Sequence, residues 1–597
     1  MKDVFFGLGL QYDEGVQSKI ALNAACIAVE VHKSEHFDTL YYRIGQCERL
    51  SVQWQPSQKY DSGITPAVAL NTEGLLVEVH KSEHFDHLYS RIGSIKGDAI
   101  EWGSSSKYDG GITPQVALND RGDVVEVHQS GWNTGLWCRV GRLEHQTLRW
   151  SASQNYDTGR KPAVAMQRDG TVVAVHQSAA DDGKLLYRVG RINGTRIDWG
   201  YPTHYDNGIN PGVALTDDGF VIAVHQSDST LGRATQQRCG RIHGSSIDWV
   251  GPSRHYDDGA APAVATNGSI AIQTRQSENA DTLWYSAALV TDRASWMQDR
   301  LDQLGARTLR TLILPAAHDA AMYTSGGWET LGKTQDLSLF EQLANGIRYF
   351  DLRPGWDGSS FYLYNGPIKG PPMAMVLEDI RHFMSRGHRE LVLLKLSHFH
   401  GLNAELYRKM IQQIKTAIGS WLFTALPTGK RLADLTLRDY TASSGRVLVL
   451  CDEQYPLNQP EPGIWVYRDS QANDVARGDL RVFDQYSNSM SYTTMKVDQL
   501  KKLEHYNGKC LSAPSLPCDL FLLSWTLTPP TGVWLVSKEA NRNLAGVIAG
   551  IKPNNHGYLP GLLCVDYVEY ARATDIAITR QLSLSPQIQE VDLLAYS

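Results

Sequence analysis

The sequence predicts a multidomain chain, an all-β propeller of six blades over residues 1–292 followed by an α/β TIM-like (β/α) barrel over residues 293–597. Two observations carry the first half. The segment Tyr-Asp-x-Gly recurs from Tyr12, Tyr60, Tyr108, Tyr156, Tyr205 and Tyr256, and each repeat of 48 to 51 residues holds four short β-rich runs between Gly, Asn and Asp turns. One observation carries the second half. After Val290 the period stops, and buried apolar runs alternate with helical stretches, the pattern of parallel strands joined by crossover helices.

In the third repeat the runs are PQVALN, DVVEVHQS, LWCRVG and LRW, and four strands per repeat make one blade. The second run ends in His-Lys-Ser or His-Gln-Ser, with His32, His80, His128, His176 and His225, and with Arg275 in the sixth copy. Trp54, Trp102, Trp150, Trp199 and Trp249 each stand six or seven positions before a repeat Tyr. The sixth repeat offers PAVAT, IAIQTRQS and LWYSAALV and then leaves the pattern. Val4 to Gly7 stands where its fourth strand belongs, with Phe6 in place of the Trp. The N-terminal strand is therefore expected to complete the last blade and close the ring.

The Tyr-Asp-x-Gly loops and the His-x-Ser strand ends fall on one face, where two readings stay open. In the first, Tyr60, Tyr108, Tyr156 and Tyr205 stack on sugar rings. Asp61, Asp109, Asp157 and Asp206, with His80, His128, His176 and His225, then bind hydroxyls, and repetition gives cell-surface glycans avidity. In the second these side chains are framework, with His and Ser satisfying buried backbone groups and Asp tethering the turn.

Composition narrows the partners. Hydrophobic residues make up 42% and charged residues 20%, as in ordinary folded proteins. Lys plus Arg number 57 against 64 Asp plus Glu, a net charge of −7 that disfavours nucleic acid as a partner. No apolar stretch approaches the ~18 residues of a spanning helix. The start MKDVFFGLGLQYDEG lacks the basic and long apolar regions of a Sec signal, so the expectation is a cytoplasmic chain or one exported by a non-Sec route. The eight cysteines show no zinc spacing, and only Cys510 and Cys518 stand close enough for a loop disulfide.

In the second half, TDRASWMQDRLDQLG reads as a connector and helix leading into the strand TLRTLILPAAHDA, so a new domain starts near Ala294. The runs TLRTLIL, GIRYFDLR, ELVLLKLS, GRVLVLCD, LFLLSWTL and LLCVDYVEY read as strands, and MAMVLEDIRHFMSRG and NAELYRKMIQQIKTAIGSWLF as helices. Such alternation over some 300 residues is that of a parallel barrel.

The ordered series WMQDRLDQL, LILPAAHDAAMYT, FEQLANGIRYFDLRPG, FYLYNGPI, ELVLLKLSHF, LLSWTLTP and CVDYVEY resembles the X-domain of phosphatidylinositol-specific phospholipase C proteins, above all the metal-independent bacterial kind, over residues 294–585. The resemblance implies attack by an inositol 2-hydroxyl on the phosphodiester, with release of diacylglycerol and a cyclic phosphate. It places His318 as general base, Asp566 as the carboxylate that orients it, Arg353 as the phosphate-binding cation and Asp319 as the carboxylate supporting the acid. Lys395 and Trp525 fall on strand ends where the inositol pocket would lie, and Arg353 replaces a metal carboxylate of calcium-dependent relatives, so neither metal nor cofactor is implied.

One position departs from that pattern. The family's His-Gly before Pro reads Tyr364-Asn365-Gly366-Pro367 here, so Asn365, an amide that releases no proton, takes the place of the general acid. His398 in LSHFH, at a strand end on the same face, is the substitute acid or a structural hydrogen-bonder. Two function classes remain. One is a phospholipase C-like phosphodiesterase acting on a phospholipid or inositol-phosphate head group, carried to glycans or a membrane surface by its propeller as a secreted effector or toxin would be. The other is a catalytically degenerate binding protein.

Overall fold

The computed structural model describes residues 2–48, 50–144, 146–180, 182–228, 233–324, 332–452, 461–469, 478–512, 519–530, 532–553 and 559–584. Two compact units divide the chain, Lys2–Thr291 and Asp292–Ser597. Cys518 lies outside the described residues, and with it the Cys510–Cys518 pair.

The first unit is a ring of six antiparallel sheets. In the second repeat the innermost strand is Ile64–Leu70, followed outward by Leu75–Lys81, His87–Lys96 and Ala99–Trp102. The inner strands follow one another around the ring, and the last, Ala260–Thr266, lies beside the first, Val16–Leu22. Val/Ala/Leu alternation drives this, because each sheet is covered on both faces by its neighbours and buries both sets of side chains.

Two expectations need correction. The Tyr-Asp-x-Gly segment is strand rather than loop: Ser106–Gly110 pairs with the free half of His87–Lys96, beside Ala99–Trp102, so the blade's outer edge is built from two short pieces. The closing strand is Leu10–Glu14, which pairs with Thr282–Leu289 from Leu10↔Tyr285 to Glu14↔Thr282. Val4 to Gly7 forms no strand; Val4 and Phe6 instead bury their side chains, 0% and 1% exposed, and an Asp3↔Thr291 bridge anchors the tail. The closing strand is thus the first copy of the Tyr-Asp repeat, and ring closure follows the same pairing rule as every other blade.

The second unit is a closed barrel of eight parallel strands in chain order: Leu314–Ala317, Tyr349–Leu352, Leu391–Leu396, Arg446–Asp452, Ile464–Asp469, Leu480–Asp484, Leu520–Trp525 and Leu562–Val565. The run TLRTLIL is mostly turn, and the first strand begins at its last residue, Leu314. The outer helices follow from spacing and caps. Ala404–Ile418 buries Tyr407, Met410, Ile411, Ile414 and Ile418 on one stripe, and the Asn403 side chain caps it by accepting the Leu406 N–H at 2.9 Å. Met373–Met384 does the same with Val376, Leu377, Ile380 and Phe383. A small antiparallel sheet of Pro354–Trp356, Phe361–Asn365 and Ile368–Pro372 follows the second barrel strand.

Candidate active site

Functional groups of a parallel barrel gather where the strands end, because the loops there converge on the axis. His318 directly follows the first strand, Arg353 the second, and Asp566 the eighth, while Lys395 and Asp484 lie within the ends of the third and sixth. His318, Arg353, Lys395 and Asp484 surround one cavity of about 310 Å³, lined also by Asp351, His398, Asp452, Tyr467 and Arg468, while Asp566 is buried behind His318. The backbone is strained at the rim. Asp319, His398 and Tyr567 adopt left-handed conformations, φ 39°, 55° and 50°, that side-chain-bearing residues rarely take.

The imidazole of His318 is held from both sides. Its Nδ1 lies 2.8 Å from Asp566 Oδ1 and its Nε2 3.5 Å from Asp319 Oδ2. Burial pushes the ring's pKa down, but the Asp319 and Asp566 carboxylates outweigh it and raise the value to about 9. The supports are themselves fixed: Asn541 donates to the Asp566 carbonyl at 2.9 Å, and the buried Gln335 amide donates to the carbonyls of His318 and Val565.

Arg353 Nε lies 2.8 Å from Asp319 Oδ1, so one carboxylate links the base to the cation. On the far side Lys395 Nζ lies 2.7 Å from Asp484 Oδ2 and 3.3 Å from Asp351 Oδ1, and the Tyr467 hydroxyl donates to Asp484 at 2.6 Å. His318, Asp319 and Asp351 present donor atoms within 4.8 Å of one another, a set that would suit a divalent cation. Fixed ammonium and guanidinium groups already match that negative charge. His398 has its pKa lowered by burial and by the neighbouring Arg353 and Lys395 charges, which favours the neutral ring.

Two residues are placed otherwise than expected. Trp525 is 1% exposed and faces outward, its Nε1 donating to Ala540 O at 2.7 Å, because alternation along Leu520–Trp525 turns Leu522 and Ser524 to the cavity instead. Asn365 does not line the cavity; its Nδ2 lies 3.4 Å from Gly332 O. Its neighbour Tyr364 reaches instead to the His398 carbonyl. Sequence reading missed Tyr467, Arg468 and Asp484 because the strands that carry them, IWVYRD and LRVFD, are short and charged at their ends.

The propeller candidates meet one another rather than solvent. Tyr60 stacks on Trp102 of the next blade at 4.9 Å, and the same stack recurs for Tyr108 on Trp150, Tyr156 on Trp199 and Tyr205 on Trp249. One face of each ring is covered by a Trp, which counts against the sugar-stacking expectation for these rings. The Tyr60 hydroxyl donates to Glu78, which also holds His80 Nδ1 at 3.0 Å, and Tyr108, Glu126 and His128 repeat the arrangement. Asp61 and Asp109 pair with Arg91 and Arg139, while Asp157 pairs with Arg188 and Asp206 with Arg238. His80, His128, His176 and His225 are 0% to 3% exposed. The repeat glycine belongs to this bracket: at Gly63, φ 152°, an added Cβ would stand 2.7 Å from the His80 ring. Blades four and five have Ala174 and Ala223 at the glutamate's position, and there burial drives His176 and His225 down to about 4.

No protein-family model matches the chain. Among curated proteins, a PI-PLC X domain-containing protein 2 of Homo sapiens is 27% identical over 199 residues, 28% of this chain and 64% of that protein. A 1-phosphatidylinositol phosphodiesterase of Listeria monocytogenes is 29% identical over 149 residues, 24% of this chain and 45% of that protein. The chain thus spans less than two thirds of the length of these relatives. Among solved structures, a phosphatidylinositol-specific phospholipase C of Staphylococcus aureus aligns over 48% of this chain and 97% of that one, at 16% identity and a TM-score of 0.37. Over about a quarter of its length the chain is similar to phosphatidylinositol-specific phospholipase C X-domain proteins.

Proposed function

We propose that the barrel is a metal-independent phosphodiesterase of phospholipase C type, acting on a phosphoinositide or a related phosphodiester with a hydroxyl beside the phosphate. The observation that carries the reading is the line Asp566–His318–Asp319–Arg353, which sets a base with a fixed tautomer beside a phosphate-sized cation at one cavity. With Nδ1–H donated to Asp566, the Nε2 lone pair accepts the proton of the attacking hydroxyl. That oxygen bonds to phosphorus, the bond to the leaving alkoxide breaks, the alkoxide takes up a proton from water, and the proton held on Nε2 returns to solvent. Arg353 stabilises the charge that grows on the phosphoryl oxygens. Lys395 and Asp484 stand where hydroxyls of the head group can bond. Incubation with phosphatidylinositol followed by phosphorus-31 NMR tests this: a cyclic phosphate resonance is expected, and its absence at every pH between 6 and 10 would overturn it.

Asn365 favours a second reading, a binding protein that holds the head group without turning it over. Retention of inositol phosphate by a chain that cleaves nothing would establish it. For the propeller, contact with a glycan-bearing or membrane surface is supported by loop tips rather than by the repeat motifs. Phe37, Phe85 and Trp132 occupy corresponding loops of the first three blades and are 70%, 63% and 94% exposed. Exposed aromatics of this kind suit stacking on sugars or seating in a lipid interface. Loss of glycan-array or vesicle binding in the Phe37→Ala/Phe85→Ala/Trp132→Ala chain checks the assignment.

A further inference from the structure

The axis of the propeller holds a cavity of about 100 Å³, roughly the share of three waters. Every inner strand carries a β-bulge near its start, where its second residue turns left-handed: Gln17, Thr65, Thr113, Lys161, Asn210 and Ala261, φ 48° to 61°. Bulges re-aim side chains, and these six line the axial cavity. Ala261 shows that the fold itself asks for no polar group at this position.

Two cations occupy this ring without need from the repeat. Lys161 stands where other blades have Gln, Thr, Asn or Ala, and Lys19, two places further along its own strand, stands where they have Ala, Gln or Gly. They come from the first and fourth blades, opposite one another in a ring of six. Among the described residues neither ammonium has an ion-pair or hydrogen-bond partner, and no carboxylate lines the cavity. Burial, with Lys161 adding to it, lowers the Lys19 pKa to about 8, so the two like charges work against each other. The hydroxyl oxygens of Thr65 and Thr113 are shielded from solvent and make no hydrogen bond among the described residues. Lys161 is exposed at the mouth of the cavity and Lys19 half-buried; unpaired buried hydroxyls are costly, and an anion between the two cations would relieve their repulsion.

We propose that the axial cavity of the propeller binds a small oxyanion of the phosphate or sulfate class, held between Lys19 and Lys161 and hydrogen-bonded by Thr65 and Thr113. The site is independent of the barrel chemistry. Titration of the full chain with sodium sulfate and with inorganic phosphate, at ionic strength matched with sodium chloride, reads it by calorimetry and by thermal midpoint. Saturable binding is expected, with affinity at least ~10-fold lower in Lys19→Met and in Lys161→Met. In the absence of oxyanion the two variants should melt at or above the wild-type temperature, since each removes a repulsion rather than a support. Arg353→Ala separates the axial site from the phosphate subsite of the barrel and should keep the sulfate response. Three results would overturn the proposal: no saturable binding by the wild type, equal binding by the lysine variants, or loss of binding in Arg353→Ala alone.

Discussion

Nδ1 of His318 lies 2.8 Å from Oδ1 of Asp566, a carboxylate with 0% exposure. Such a partner accepts the Nδ1 proton and leaves Nε2 as the basic nitrogen. Asp566→Asn would offer an amide to the same nitrogen and favour the opposite tautomer. Cleavage of phosphatidylinositol should fall ~10²–10⁴-fold with little change in KM, measured as the split between kcat and KM.

The raised pKa of His318 fixes a pH profile. A base with a value of about 9 is mostly protonated at neutrality, so kcat/KM should climb through the neutral range and level off above about 9. The stability sign is opposite. A histidine raised on folding contributes stability that is complete below its unfolded value of ~6.5 and is lost as pH rises through the folded one. Activity and thermal midpoint should therefore move in opposite directions between these limits, and the His318→Ala chain should show neither dependence.

Asn365 tests whether acid catalysis is missing. Asn365 lies outside the cavity lining, so only if the longer imidazole reaches the leaving oxygen should Asn365→His raise turnover of phosphatidylinositol by part of a ~10²–10⁴ factor, leaving nitrophenyl phosphodiesters, whose leaving group departs without a proton, unchanged. If the wild type already cleaves the lipid briskly and the variant adds nothing, the acid is elsewhere, and His398→Ala then becomes the decisive measurement because His398 lines the cavity.

The propeller histidines divide into two classes with opposite linkage. His80 and His128 lose by burial but gain more from Glu78 and Glu126, so their pKa values rise, and their contribution is present below ~6.5 and fades as pH increases. His176 and His225, at about 4, contribute above ~6.5 and lose that contribution as pH falls toward the folded value. The stability differences between wild type and His128→Gln and between wild type and His176→Gln across pH 4–8, measured by thermal melts, should have mirrored slopes, the second spanning roughly 3 kcal/mol.

Ring closure rests on the first residues of the chain. Deleting residues 2–14 removes the Leu10–Glu14 strand and the buried Val4 and Phe6, and the thermal midpoint of the propeller should fall by ten degrees or more. The substitution Phe6→Ala alone should cost ~3–5 kcal/mol. A melt unchanged by the deletion would show that the pairing does not hold the ring.

The repeat period exposed six blades and a closure from the N-terminal side, though not which segment makes it, because strand alternation and turn residues are local signals. The partners of the repeated side chains were not local. Nothing in Tyr-Asp-x-Gly tells that Tyr60 lies on Trp102 of the next repeat, so sequence alone left the framework and sugar-stacking readings both open. In the barrel, His318, Arg353 and Asp566 were legible by resemblance, since each stands in a recognisable strand-end motif. Trp525 was misplaced because the face of a fully buried strand cannot be told from an unbroken apolar run such as LFLLSW. Ile464–Asp469 and Leu480–Asp484 escaped for want of such a run, and with them half of the Lys395 partners.

Pairing of Leu10 with Tyr285 has a consequence for synthesis. The chain emerges N-terminus first, so the strand that seals the ring is made before the other strands of the ring and its partner about 275 residues later. Through all that time Leu10–Glu14 is an unpaired edge, open to a second nascent chain. Contacts between such distant segments also form slowly. The propeller therefore completes only when its sixth blade has left the ribosome, and two chains held close together on one messenger can exchange first strands before either ring shuts.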